Sequence, residues 1–223
     1  MKKYLLILAA ISFSAISLSA QNDAAGDWAQ FGRYAAANSE VDEKPYAVLM
    51  GDSITDGWDG KDPEFLEENN ILCRGISGQN SSQMLVRFRQ DVIDLDPKYV
   101  VILAGTNDIA CNGGYISHEH IMDNLKSMCE LARAHKIRPV LCSVTPSVQF
   151  WWRKSITGVS DKILRLNEMI KAYAEEKRIP YVDYYSALAD ENGALPAEYS
   201  DDGVHPNTAA YKVMEPLLLK VLK

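Results

Sequence analysis

Three residues of the types that together catalyse acyl transfer, a serine, a histidine and an aspartate, lie in two distant parts of the sequence. Ser53 follows a short apolar run and has glycines nearby on both sides, a setting that favours a tight turn with an exposed hydroxyl. His205 lies in a loop with glycine and proline neighbours, and Asp202 precedes it by three residues. At this spacing the carboxylate can reach round a turn to orient the imidazole. We therefore predict a triad of Ser53 as nucleophile, His205 as base and Asp202 as the carboxylate that orients the imidazole and stabilises its protonated form.

Two of these assignments have simpler alternatives. A serine directly after a strand is typical of a helix N-cap, and Ser53 taken alone fits that role better. Asp201 is one residue too early for the same geometry but remains an alternative partner for His205. The catalytic interpretation therefore depends on the groups that accompany the serine.

A tetrahedral oxyanion needs hydrogen-bond donors, and the sequence offers three of them near the ends of apolar runs. They are the backbone N–H groups of Ser53 and Gly78 and the side-chain amide of Asn107. Gly78 alone is compatible with a left-handed turn, and Asn107 with an Asx-turn. Their occurrence in chain order at successive strand ends favours an oxyanion hole.

Five short apolar runs alternate with longer amphipathic stretches, the pattern of βαβ units in a parallel sheet. The predicted strands cover residues 46–50, 71–74, 99–104, 138–144 and 179–182. The predicted helices cover residues 27–37, 81–95, 117–135, 160–178 and 206–222, and Asn80 with Gln83 predicts a capped start for the second of them. We expect an α/β fold, a three-layer α/β/α sandwich around a five-stranded parallel sheet, with the polar motifs at the carboxyl ends of the strands.

Four separated blocks of the sequence resemble the pattern of the SGNH hydrolases, also called GDSL-type lipases or esterases. They are Gly51–Trp58, Gly78, Gly105–Asp108 and Asp202–Pro206, in that order, and the first begins Gly-Asp-Ser. The resemblance extends over most of the chain after residue 20. It implies a flavodoxin-like SGNH hydrolase fold.

The resemblance also implies roles for individual residues. These are Ser53 as nucleophile, Gly78 and Asn107 as oxyanion donors, and Asp202 with His205 as the rest of the triad. It further suggests that Asp52 and Asp108 shape their loops rather than react. The reaction is then a double displacement through an acyl-enzyme, which requires no metal or organic cofactor. A zinc site is disfavoured as well, because the four histidines form no cluster with ligand spacing.

An aromatic segment, Phe150–Lys154, follows the fourth predicted strand at the same edge of the sheet. We expect Trp151 and Trp152 to form a platform beside the pocket, although packing under a loop is an equally good interpretation of either. Trp58, after the nucleophile turn, is a candidate wall residue. Aromatic faces next to cationic donors suit a sugar ring or an anionic saccharide, and also a lipid tail.

The substrate is predicted to be a small-molecule or saccharide ester with a short acyl group, because no amphipathic lid of the interfacial type is evident. We expect an esterase that removes acetyl groups from an O-acetylated carbohydrate. The alternatives are a lysophospholipase, a thioesterase or an acyl hydrolase like platelet-activating-factor acetylhydrolase. A different class also remains open, a catalytically silent binding protein on the same fold.

The composition limits the classes of protein that the chain can belong to. Its 223 residues contain 47% hydrophobic and 24% charged residues, which excludes a disordered, collagenous or multi-span membrane chain. The net charge is −7, and there is no long basic run. Nucleic acid is therefore not an expected partner, because phosphate binding would lack its main driving force.

The first twenty residues have the three parts of a secretory signal: the basic start Met1–Lys3, an apolar run to Ile16, and small residues up to Ala20. Cleavage after Ala20 would leave residues 21–223 as a single hydrolase domain. No cysteine follows the apolar run to accept a lipid, so we expect a secreted or periplasmic protein with no stable membrane insertion. Retention of this segment as a membrane tether is the alternative interpretation.

The four cysteines are Cys73, Cys111, Cys129 and Cys142. None forms a Cys-x-x-Cys pair, and three lie inside apolar runs. We expect small buried side chains rather than a disulfide framework.

Overall fold

The computed structural model of the protein describes residues 26–222. The predicted signal peptide lies outside the described residues. The sheet consists of five parallel strands in the order β2-β1-β3-β4-β5: β1 Ala47–Gly51, β2 Ile71–Gly75, β3 Tyr99–Leu103, β4 Arg138–Cys142 and β5 Tyr181–Val182. This confirms the predicted parallel α/β sheet.

The helices lie between the strands and after the last of them. Their bounds are α1 Gly32–Ser39, α2 Ser53–Lys61, α3 Pro63–Glu68, α4 Ser81–Asp91, α5 Thr106–Ile109, α6 His118–Ala134, α7 Val159–Lys177, α8 Tyr184–Leu188 and α9 Thr208–Val221. A 3₁₀ turn, Ile93–Leu95, follows α4. The predicted helices correspond to α1, α4, α6, α7 and α9, whereas α2, α3, α5 and α8 were not predicted.

Successive strand residues face opposite sides of the sheet, and this alternation builds two cores. On β1, Val48 and Met50 belong to the core that receives buried side chains from α4, α6 and α7. Ala47 and Leu49 belong to the other core, which receives side chains from α2, α3, α8 and α9. The result is the predicted α/β/α sandwich.

The strand order places a switch point between β1 and β3. The chain runs from β1 to β2 on one side and then continues to β3 on the other. Helices consequently leave the two strands toward opposite faces, and a crevice opens at their carboxyl ends. Ser53 follows β1 and Asn107 follows β3, so both lie at this crevice.

Side chains of α4 and of the turn before it hold the segment that precedes α1. Three glutamine amides donate to main-chain oxygens at 2.6–2.7 Å: Gln79 to Ala29, Gln83 to Trp28 and Gln90 to Phe31. The capping box predicted at Asn80 and Gln83 is present, with both hydrogen bonds at 3.1 Å. The N-terminal segment is thereby fastened beside the loop that contains Gly78.

All four cysteines are free thiols, and Cys73, Cys129 and Cys142 are buried, as the sequence predicted. Burial raises the pKa of the Cys73 thiol to about 11 and that of Cys129 to about 12. Among residues 26–222 there is no group of three acidic, histidine or cysteine side chains that could hold a metal ion. None of the helices described is long and apolar enough to cross a bilayer.

Candidate active site

The nucleophile turn joins β1 to α2. Asp52 caps the helix, because its carboxylate accepts a hydrogen bond from the Ile54 N–H at 3.0 Å. Ser53 is therefore the first residue of α2 and not its cap. A Cβ at Gly51 would collide with the Thr55 side chain, so the turn requires glycine there. Tight packing thus fixes the backbone that carries the Ser53 hydroxyl.

Ser53, His205 and Asp202 form one hydrogen-bonded chain. Ser53 Oγ lies 3.0 Å from His205 Nε2, and His205 Nδ1 lies 2.7 Å from Asp202 Oδ2. A carboxylate can only accept, so Nδ1 carries a hydrogen and donates to Asp202. In the neutral imidazole Nε2 then accepts from the serine hydroxyl. The carboxylate that contacts His205 belongs to Asp202 rather than to Asp201.

The loop that presents His205 is organised around Asp202. Its Oδ1 accepts from the backbone N–H groups of Val204 at 2.9 Å and His205 at 2.8 Å. Partial burial raises the pKa of Asp202, but hydrogen bonds from the backbone and ring of His205 and from Val204 outweigh it and hold the pKa well below its ordinary value. Asp202 is therefore ionised throughout the neutral range and able to orient the imidazole.

Two of the predicted oxyanion donors are unoccupied backbone groups. Within residues 26–222, the N–H groups of Ser53 and Gly78 donate to no backbone acceptor. Gly78 has a φ of +81° and open space where a Cβ would project. The conformation favours glycine, and the exposed turn leaves room for a substrate atom.

The third predicted donor, Asn107, is a buried side chain in the first turn of α5. Its Nδ2 donates to the main-chain oxygen of Gln79 at 3.0 Å and lies 3.4 Å from Asp52 Oδ2. Its Oδ1 accepts from Asn112 Nδ2 at 2.5 Å. The amide nitrogen therefore faces the nucleophile turn and the loop of Gly78.

Asp52 and Asp108 are both buried and are tied to main-chain groups. Burial raises the pKa of Asp52 to about 7, although the hydrogen bond from Ile54 N–H and the nearby His205 act in the opposite direction. Both oxygens of Asp108 accept from the Ser81 N–H, and the Ser81 hydroxyl donates to it at 2.5 Å. Burial raises the pKa of Asp108 as well. Asp108 thus joins the start of α5 to the start of α4.

The two tryptophans of the aromatic segment both lie at the triad. The Trp151 indole N–H donates to Asp202 Oδ2 at 3.2 Å, and 57% of its surface is exposed. The Trp152 ring stacks on His205 with centroids 6.2 Å apart and an interplanar angle of 30°. Both indoles thus border the site, and Trp151 leaves much of its surface open to a ligand.

Trp58 does not line the site, so its prediction as a wall residue is wrong. It is 2% exposed and belongs to the core beneath α2. Its ring packs against Phe65, Tyr211 and Tyr184, with centroids 5.8, 5.0 and 6.4 Å away. Because α2 begins at Ser53, Trp58 lies on the same buried face as Ile54, four residues earlier.

Two residues in contact with Asn107 were missed in the sequence. Asn112 bridges Trp152 and Asn107, since its Oδ1 accepts from the Trp152 N–H at 2.9 Å. Gln79 accepts from Asn107 through its main chain and is itself held by Arg87, whose Nε donates to Gln79 Oε1 at 2.6 Å. The position of Gln79 next to Gly78 was the available signal. Asn112 carried none, because its partners come from separate loops.

Residues 49–213 match the GDSL-like Lipase/Acylhydrolase family, and the chain belongs to that family. The chain is similar to a GDSL-like lipase from Bacteroides thetaiotaomicron, at 44% identity over 87% of this chain and 97% of that one, with a TM-score of 0.83. It is 26% identical to the isoamyl acetate-hydrolyzing esterase of Saccharomyces cerevisiae, over 79% of this chain and 85% of the yeast protein. It is 23% identical to an acetylxylan esterase of Geobacillus stearothermophilus, over 67% and 70% of the two chains. The protein is a serine ester hydrolase of the SGNH type.

Proposed function

We propose that the protein is a secreted esterase that removes acetyl groups from an O-acetylated carbohydrate, with Ser53, His205 and Asp202 as its catalytic triad. The observation that carries the proposal is the unbroken chain of Ser53 Oγ to His205 Nε2 at 3.0 Å and His205 Nδ1 to Asp202 Oδ2 at 2.7 Å. These distances lie within the reach that proton transfer requires.

The first half of the reaction acylates the enzyme. Ser53 Oγ forms a bond to the carbonyl carbon of the ester while its proton passes to His205 Nε2. The carbonyl π electrons move to the oxygen, which becomes an oxyanion. When the tetrahedral intermediate collapses, the bond to the alcohol oxygen breaks and that oxygen takes the proton from His205. The alcohol leaves, and the acyl group stays on Ser53.

The second half of the reaction repeats these steps with water. His205 accepts a proton from the water as its oxygen bonds to the acyl carbon, and it then returns the proton to Ser53 Oγ as the acid leaves. In both halves the Ser53 and Gly78 N–H groups and the Asn107 amide donate to the oxyanion. Because His205 must be unprotonated to act, activity rises from acidic pH toward neutral or mildly alkaline pH.

The acetyl preference and the carbohydrate are supported by two separate observations. Two relatives are named for acetate esters, and one of these acts on acetylxylan by its name. The exposed Trp151 beside Asp202 offers an aromatic face on which a sugar ring can stack. The secretory location rests on the three-part pattern of residues 1–20, and amino-terminal sequencing of the secreted protein should find Gln21 first.

Covalent labelling tests whether Ser53 is the nucleophile of an active enzyme. A fluorophosphonate probe should modify the wild-type protein and should not modify Ser53→Ala. The same substitution should lower kcat by about 10⁴- to 10⁶-fold. If Ser53→Ala keeps a tenth of the wild-type esterase activity, the nucleophile is another residue. If the wild-type protein neither reacts with the probe nor hydrolyses esters, it is a binding protein on this fold.

The acyl preference separates the proposed function from the second candidate. A cavity of about 510 Å³, with an apolar lining that includes Ile109, Ile116 and Ile121, lies beside Asp108 and favours a longer acyl chain or a lysophospholipid. Nitrophenyl acetate and octanoate should be compared first, followed by acetylated saccharides and lysophospholipids. We expect the acetates to be preferred. A preference for octanoate would exclude the carbohydrate deacetylase.

A further inference from the structure

We propose that Trp152 is a positioning residue that sets the orientation of the Asn107 amide through Asn112. The inference rests on the proposed role of Asn107 as an oxyanion donor. It assigns to Trp152 a function in catalysis besides any contact with the substrate.

The three side chains form a directed chain of hydrogen bonds. Trp152 Nε1 donates to Asn112 Oδ1 at 2.9 Å, and Asn112 Nδ2 donates to Asn107 Oδ1 at 2.5 Å. The Asn112 backbone N–H also donates to the Asn107 main-chain oxygen at 3.0 Å, which keeps the two asparagines at a fixed distance. The chain ends at Asn107 Nδ2, which faces the nucleophile turn.

The direction of this chain follows from the chemistry of its first member. An indole N–H can only donate, whereas a carboxamide can present either its oxygen or its nitrogen. Trp152 therefore requires the oxygen of Asn112, which leaves the Asn112 nitrogen to face Asn107. Asn107 must then turn its oxygen toward Asn112 and its nitrogen toward the oxyanion site. Without the indole N–H, Asn112 can reverse, and its oxygen would then face Asn107 Oδ1. Asn107 would lose the hydrogen bond that holds its oxygen, and its nitrogen would keep only the contact with the Gln79 main-chain oxygen.

Packing fixes the position of the Trp152 indole, so that its N–H determines the direction of the hydrogen bonds to Asn112 and Asn107. Phe150 is fully buried and packs against Trp152 with ring centroids 5.2 Å apart. The opposite end of the chain is fixed too, because Asn107 is buried and its nitrogen donates to the Gln79 main-chain oxygen. Each donor along the chain also polarises the next amide, which strengthens the final N–H as a donor.

The test is a double-mutant cycle between Trp152→Phe and Asn107→Ala. Asn107→Ala should lower kcat for nitrophenyl acetate by about 10²- to 10³-fold, and Trp152→Phe by about tenfold with little change in KM. Phenylalanine keeps a ring next to His205 but has no N–H. In the Asn107→Ala background, Trp152→Phe should have almost no further effect, because the amide that Trp152 orients is absent.

Three further variants separate positioning from a general loss of packing. Asn112→Asp keeps the acceptor for Trp152 but removes the N–H for Asn107, and it should lower kcat as Trp152→Phe does. Trp151→Phe removes an indole N–H that contacts Asp202 instead of Asn112. In the double variant its fold-loss of kcat should therefore multiply with the fold-loss caused by Asn107→Ala. Trp28→Phe, at an exposed position away from the triad, should leave kcat unchanged.

A second readout reports the oxyanion site directly. A trifluoromethyl ketone adds to Ser53 and forms an oxyanion, so its inhibition constant should rise in proportion to the loss of kcat/KM in Trp152→Phe. If the losses of Trp152→Phe and Asn107→Ala multiply, or if the inhibition constant does not change, the positioning role is wrong while the triad stands. If Asn107→Ala alone leaves kcat unchanged, the oxyanion role and the positioning role both fail.

Discussion

The two halves of the triad are held in different ways. The turn of Ser53 is built into the packed interior. A Cβ at Gly75 would collide with the backbone of Asp56 in α2, so strand β2 and the helix are in contact main chain to main chain. The buried Arg87 donates to the Gly51 main-chain oxygen at 3.1 Å. The position of the nucleophile thus depends on contacts that the fold itself needs.

The loop of His205 is a surface turn held by its own hydrogen bonds. Asp202 and Ser200 accept from the N–H groups that follow them, and Gly203, at a φ of +75°, has open space around its Cβ position. Val204 anchors this loop in the core, but the groups that orient the base are the hydrogen bonds of the loop itself. The difference suggests that substitutions at the nucleophile turn reduce stability and activity together, whereas those in the His205 loop reduce activity alone.

The largest effect is expected for His205→Ala. Loss of the base should lower kcat by about 10⁴- to 10⁶-fold, as for removal of a triad histidine elsewhere. The melting temperature should change by no more than about 2 °C, since the ring is 39% exposed and lies outside the two cores. Steady-state kinetics and thermal denaturation on one preparation measure both. A loss of many degrees would show that the loop stabilises the fold and that the two halves do not differ.

Asp202→Asn should lower kcat by about 10²- to 10⁴-fold. The amide nitrogen would face His205 Nδ1 as a donor, and the ring would have to carry its hydrogen on Nε2, where it can no longer accept from Ser53. Asp201→Asn is the matched control, because it removes the same charge one residue away. It should leave kcat within about twofold. Equal losses in the two variants would mean that net charge, and not orientation of the imidazole, is the cause.

Gly75→Ala tests the packed half of the comparison. The new methyl group must displace the backbone of Asp56, which should lower the free energy of unfolding by about 1–3 kcal/mol and also lower kcat through Ser53. Gly60→Ala is the control on α2, since nothing lies within 4 Å of its Cβ position. It should raise the free energy of unfolding by about 0.5–1 kcal/mol, because alanine favours the helix. Urea denaturation of both variants distinguishes these outcomes.

Asp52, the N-cap residue of α2, should make the stability of the packed half depend on pH. Its folded-state pKa of about 7 exceeds the ordinary value of 3.8, so the folded protein keeps a proton that the unfolded chain releases. This contribution is fully present below pH 3.8 and is lost as the pH rises through about 7. Asp52→Asn retains an oxygen for the Ile54 N–H but does not titrate.

The melting temperature of the wild type should therefore fall relative to that of Asp52→Asn as the pH rises from about 4 to about 8, by about 3 °C or more. Thermal denaturation across this range measures the difference. A relative gain of the wild type with rising pH would contradict the assignment of a buried, proton-retaining carboxyl.

The fold was predictable because each strand is buried on both faces and its sequence is correspondingly apolar. All five residues of β3, Tyr99–Leu103, are buried, and the prediction for this strand differs from the structure by one residue. α2 and α5 were not predicted because both carry the polar motifs that follow a strand, and α5 is only four residues long. Without α2 there was no helical face on which to place Trp58, and this explains that error.

The proximity of Ser53 to Asp202 and His205 could be predicted from the strand order. Ser53 follows one parallel strand, the other two residues come after another, and the carboxyl ends of parallel strands lie at the same edge of the sheet. The hydrogen-bonded bridge from Trp152 through Asn112 to Asn107 could not be predicted from the sequence. Trp152 and Asn112 come from two irregular loops, and no periodicity relates residues in loops of this kind. Only coordinates show that one indole reaches both the imidazole and the amide chain.

The hydrogen bonds from Gln79, Gln83 and Gln90 to the N-terminal segment limit which sequence changes that segment can accept. All three amides bind main-chain oxygens, which every amino acid possesses. The exposed side chains of Trp28 and Phe31 are therefore free to vary, whereas the spacing of the three main-chain oxygens along the chain is not. A one-residue insertion within residues 28–31 would move at least one of these oxygens out of reach of its glutamine, whereas replacement of an exposed side chain such as that of Trp28 would leave all three in place.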